Sequence, residues 1–150
     1  MGQTAAMADS RPTPRQSIAA ECRRRGAAGV VSGCIDLLEA READDALVLA
    51  LGGEAAPYVL SGGEGGRQGH WPRVWAARGL LYVWEDRATP AIVRAAADEA
   101  WRVREMAAKV IARHQVDDAL EAVTGLRADQ VARVRSAADR AIVRLTVSGP

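Results

Sequence analysis

WRVREMAAKVIARH, residues 101–114, decides how this chain is read. Val103, Met106, Ala107, Val110 and Ile111 recur at i, i+3, i+4, i+7 and i+8, the pattern of a helix with one buried face. A near-copy, ARVRSAADRAIVRL, fills 132–145, and a weaker one, PRVWAARGLLYVW, fills 72–84. Their Arg-Val pairs, Arg73-Val74, Arg102-Val103 and Arg133-Val134, step by 29 and 31 residues. A helix repeated at this period belongs to stacked helix pairs, each burying its apolar face only against its neighbours. The expected fold class is therefore all-α, an α-solenoid of repeats at 55–84, 89–114 and 117–147.

The intervening segments supply the partner helices. Thr89-Pro90 has the N-cap and first-turn residues of a helix start. Asp118 and Glu121 make a D-x-x-E opening close to a capping box, and Gly125 ends that helix. Asp129 precedes the last helix. Upstream, 1–16 reads as a disordered tail, with Pro14 compatible with the first turn of the next helix. Residues 17–54 read as an N-terminal helical cap, with helices over 17–25, 30–41 and 44–51, the last closed by Gly52-Gly53. The Arg23-Arg24-Arg25 run lies in a last turn, where cations complement the helix dipole. SGGEGGRQG, residues 61–69, carries five glycines, reads as a flexible loop, and lacks both phosphate-loop spacings.

Composition excludes several classes. The net charge of +1 selects no partner by itself. The longest aliphatic run, 46–51, is far too short to cross a membrane, and the N-terminal stretch lacks the apolar core of a secretory signal, so a cytoplasmic protein without a membrane partner is expected. Cys22 and Cys34 are the only cysteines and form neither a disulfide framework nor a metal motif. His70 and His114 are 44 residues apart, without a zinc-binding pattern. No serine elbow or isolated carboxylate pair is legible. No cofactor and no catalytic residue is assigned.

The doublet of helices with a second helix of the form R-V-R-x-x-A-A resembles HEAT repeats of the short kind, over 55–147. The resemblance implies a right-handed solenoid of HEAT-like pairs and an interaction scaffold of bacterial type. It also implies a structural ladder between repeats, built by Asp98 and Asp129 before the second helices and by Arg104 and Arg135 within them. The first copy departs from this pattern, with Gly69 and Trp75 in those places.

A surface remains for a partner. At about 100° per residue, Arg102, Lys109 and Arg113 form one stripe beside the apolar face. Arg133, Arg140 and Arg144 repeat it, and Arg73, Leu80 and Trp84 take those places in the first copy. The three second helices carry ten basic residues against two acidic ones, Glu105 and Asp139. Arg73, Trp84, Arg102, Lys109, Arg113, Arg133, Arg140 and Arg144 are thus the candidate partner-binding residues. An acidic protein segment is the expected occupant, and nucleic acid the alternative. The competing reading is a solvated face laced with ion pairs. Trp71, Trp75, Trp84 and Trp101 read as packing between repeats or as interface anchors. Trp and Arg on a basic surface also resemble alkylpurine DNA glycosylases of HEAT-like repeats, but no motif here places their catalytic Asp.

Overall fold

A computed structural model of the chain describes residues 10–147, in which every regular element is helical and none is a strand. Helix α1, Pro14–Arg25, starts inside the expected tail. Thr13 Oγ1 accepts from the Gln16 N–H at 3.2 Å and Gln16 Oε1 accepts from the Thr13 N–H at 2.9 Å, a complete capping box with Pro14 in the first turn. Residues 1–9, the rest of the expected tail, lie outside the described residues.

Gly26, at φ +91°, ends α1 and opens α2, Ala27–Leu38. Helix α3, Asp45–Gly52, is capped by Asp44, whose Oδ1 accepts from the Leu47 N–H at 2.8 Å. Arg25 donates two bonds of 2.8 Å to the same carboxylate. The basic run thus ties the end of α1 to the start of α3, and Arg24 and Arg25 together hold Glu21. Arg25 keeps the Asp44 carboxyl far below the usual carboxylate range.

A 3-10 turn, Gly53–Ala55, leads into the short α4, Ala56–Leu60. The glycine-rich stretch expected as a flexible loop is wound into 3-10 turns over Gly63–Gln68, using positive φ at Gly62, Gly65 and Gly66. Its Arg67 pairs with Asp45 and donates to the Ala43 carbonyl, so the stretch is folded against the start of α3.

The remaining helices are α5, Trp71–Tyr82; α6, Thr89–Ala95; α7, Trp101–His114; α8, Leu120–Gly125; and α9, Ala132–Val147. Helix α7 lies between α5 and α9, and its contact with α9 is the most extensive helix–helix contact among the described residues. Helix α6 packs on α7, α8 on α9, and α2 on α5. The predicted cap at Thr89 is absent, because Thr89 is already helical and its side chain caps nothing. Asp118 and Glu121 form no capping box, since a 3-10 turn, Asp117–Ala119, precedes α8.

Burial fixes the repeat. Ala76, Ala107 and Ala138 are each fully buried, at steps of 31 and 31 residues. The Arg-Val pairs misalign the first copy by two positions. Their 29-residue step would put Arg78 in the buried place of Ala107, which a guanidinium cannot occupy without a partner. In the corrected register Trp71, Arg73, Arg78 and Tyr82 stand where α7 has Arg102, Arg104, Lys109 and Arg113.

Small residues let the N-terminal helices approach α5. A Cβ on Gly79 would meet Leu51 Cδ2 at 2.8 Å and Cys34 Sγ at 3.1 Å; one on Gly52 would meet the Trp75 indole at 2.5 Å. Because an indole cannot fold aside as an aliphatic tip can, Gly52→Ala should destabilise the chain by about 1–3 kcal/mol, read as a lower urea midpoint at unchanged slope.

Candidate binding groove

The polar architecture begins with two guanidinium forks. Arg73 holds Asp98 through bonds of 2.7 and 3.1 Å, and Arg104 holds Asp129 through bonds of 2.7 and 3.2 Å. Each carboxylate also accepts a backbone N–H, from Ala100 and Val131 respectively, at 2.8 and 2.9 Å. Arg104 bonds in addition to the Asp98 and Glu99 carbonyls, and Arg135 to the Asp129 carbonyl at 2.7 Å. These bonds run Arg73–Asp98–Arg104–Asp129–Arg135 across α5, α7 and α9. Arg73, expected to face a partner, is instead the first member of this chain, and its side chain is only 15% exposed. The first copy therefore enters through Arg73, two residues before Trp75.

A second chain of contacts takes two more of the expected binding residues. Arg102 lies over the Trp101 ring at 4.4 Å and the Trp71 ring at 5.5 Å; Arg133 lies over Trp101 at 5.3 Å. Arg133 also donates to the buried Glu105 at 2.9 Å. Trp71 stacks on Trp75 at 6.2 Å. This row of alternating rings and cations joins the first turns of α5, α7 and α9. Glu105, which the sequence offered only as a stray acid, anchors it.

Trp84 stands apart. Its ring stacks on His114 at 4.8 Å, and its Nε1–H donates to Asp86. His114 Nε2 bonds to the Leu80 carbonyl at 2.6 Å, and burial pulls its pKa below the ordinary imidazole value. His114, the last residue of α7, thus ties that helix to α5.

Lys109, Arg113, Arg140 and Arg144 do come together. They line an open groove of about 600 Å³ whose apolar surface comes from Leu81, Ala112, Ala137 and Val143. Lys109 and Arg113 are one turn apart on α7, and Arg140 and Arg144 one turn apart on α9. Lys109 is 3.8 Å from Glu105. Arg113 and Arg140 have no ion pair with any described carboxylate. Val143 is 56% exposed. Asp139 at the edge pairs with Arg127 at 3.5 Å.

On α5 the groove takes in Leu81, but its row of cations does not continue there, for a structural reason. At the corresponding places Arg78 turns to the Leu51 carbonyl in the last turn of α3, at 2.7 Å, and Arg15 of α1 lies at 5.5 Å over the ring of Tyr82, which stays 39% exposed. The N-terminal helices close the row. The apolar floor was not legible, because Ala112, Ala137 and Val143 were given no role from sequence, and only the fold shows that Val143 is exposed.

No group of His, Cys, Asp and Glu among the described residues could hold a metal ion. Burial pushes the Cys34 thiol up to about 12, leaving it a poor nucleophile. Comparison with protein-family models, curated proteins and solved structures finds no match for the chain.

The Arg104–Asp129 fork has a pH signature. Arg104 holds the Asp129 pKa below its ordinary value, so its stabilisation is complete above the unfolded carboxyl pKa and is lost as pH falls through the folded one. Asp129→Asn should cost about 1–3 kcal/mol in urea titrations at pH 7, and the deficit should shrink in acid, where the wild-type group is also neutral. Asp139→Asn, at an exposed pair, should shift stability by less than about 0.5 kcal/mol.

Proposed function

We propose that this chain is a short right-handed solenoid of HEAT-like helix pairs, a non-catalytic cytoplasmic module whose α7–α9 groove binds an acidic, amphipathic protein segment. The observation that carries this reading is the pairing of an apolar floor with four flanking cations, Lys109, Arg113, Arg140 and Arg144. Apolar residues of the partner would lose water on Leu81, Ala112, Ala137 and Val143. Its carboxylates would meet the cations on both walls, which speeds encounter and excludes basic competitors. Two observations support a protein over nucleic acid. The floor is aliphatic and unsuited to phosphates, and Arg73, Arg102 and Arg133, which would extend a phosphate track, are already engaged.

The test is fluorescence anisotropy of a labelled helical peptide with leucine on one face and glutamate on its flanks. Arg113→Glu with Arg140→Glu should weaken binding by tenfold or more, on the order expected for two lost charge contacts. Arg102→Ala should leave affinity within about twofold, because that side chain lies on the Trp row. Undiminished peptide binding by the double reversal would overturn the proposal. So would tighter, steeply salt-dependent binding of duplex DNA through the same four residues.

A further inference from the structure

The chain carries a surface that matches the groove. Asp117, Asp118 and Glu121 are exposed around Leu120, itself 40% exposed, on the 3-10 turn and first turn of α8. None of the three carboxylates has an ion pair among the described residues. Ala119, Val123 and Leu126 are buried on the opposite side, where α8 packs on α9. The acids lie on the exposed side, and no ion pair among the described residues joins them to a groove cation within the chain.

We infer that the groove's occupant is α8 of a second copy of this chain, so that copies associate head to tail. This rests on the groove being a binding surface for acidic amphipathic segments and names that segment. The match is one of charge, polarity and spacing. Asp117 and Glu121 are four residues apart, as are Lys109 and Arg113 on one wall and Arg140 and Arg144 on the other. Leu120 between the carboxylates would enter toward Val143 and Leu81, and Asp118 would meet the rim. The two surfaces are different patches, so the contact is heterologous: a pair of copies keeps one free groove and one free α8, and association continues until a ring closes or the chain of copies ends. One helical turn in a groove is a small interface, at the weak and transient end of the range. Ion pairs at its rim make it sensitive to salt.

Sedimentation of the full chain tests this. At low ionic strength the mean mass should rise above the 15.9 kDa of one chain as concentration increases, and return to it in about 0.5 M salt. A groove variant, Arg113→Glu with Arg140→Glu, and a helix variant, Asp117→Asn with Glu121→Gln, should each be monomeric. All four side chains are exposed, and circular dichroism verifies that both variants are folded. Mixed together, the variants retain one intact α8 and one intact groove, and should form a 1:1 pair that grows no further. A wild type that stays monomeric at high concentration and low salt overturns the inference, as does a groove variant that associates like the wild type or a mixture that does not pair. If the wild type is monomeric yet binds the acidic peptide through Arg113 and Arg140, self-association alone fails. If peptide binding is also independent of those residues, the groove reading fails with it.

Discussion

Two guanidinium–carboxylate forks, Arg73–Asp98 and Arg104–Asp129, set the register on which everything else depends. The faces that meet between α5, α7 and α9 are rich in alanine. Alanine lets helices approach, but a methyl group makes a shallow knob, so such a face constrains sliding weakly. A planar fork is different. Both N–H groups must point at both oxygens, and a shift of one helical turn breaks both bonds at once. In each fork the Arg also donates to a backbone carbonyl near its own helix start, and the Asp accepts an N–H near the start of the next helix. Few lone pairs are left unsatisfied, and few groups are free to settle for a neighbouring position.

That register sorts the cations. With α7 and α9 held level, positions 31 residues apart stand side by side. At the first turns this sets Arg102 and Arg133 against the Trp rings, where cation and π-face satisfy each other. Two turns on, it sets Lys109 beside Arg140 and Arg113 beside Arg144 across a floor of small side chains. Like charges gathered over apolar surface in this way are not a stability device. The same chain engages the equivalent places on α5 from α1 and α3, through Arg15 over Tyr82 and Arg78 on the Leu51 carbonyl. Capping one end and leaving the other open confines the cations of the groove to α7 and α9.

The helices and their buried faces were legible because they rest on periodicity. Val103, Ala107, Val110 and Ile111 are buried, as their spacing requires. Asp98, Arg104, Asp129 and Arg135 share one hydrogen-bonded chain, and a resemblance to a repeat pattern pointed to them as a set. The first repeat misled because Arg73-Val74 reproduces a dipeptide without its environment. Only burial shows that Pro72, and not Val74, takes the place of Val103. The eight expected binding residues divided for the same reason. A helical wheel places Arg102, Lys109 and Arg113 on one stripe, but it cannot see that the stripe's first turn abuts Trp71 and Trp101 and its last turns do not. Thr89 and Asp118 show the limit of cap signals, since a preceding 3-10 turn can satisfy the first N–H groups without any side chain.

The acidic character of α8 gains meaning from that division. In sequence, Asp117, Asp118 and Glu121 read as ordinary charges near a helix start, where the dipole favours them. Arg87 shares a surface hollow with Asp117 and Asp118 but pairs with Glu85 instead, and α8 packs on α9 with Val123 buried. An exposed leucine framed by acids without an ion pair is unremarkable on a chain whose cations are all engaged. Here the forks and the Trp row engage the first-turn cations, while Arg113 and Arg140 stand without an ion pair to any described carboxylate beside an apolar floor. Complementary charge left unpaired within one molecule is what the inferred second copy would meet, and the forks decide this by fixing which cations face outward.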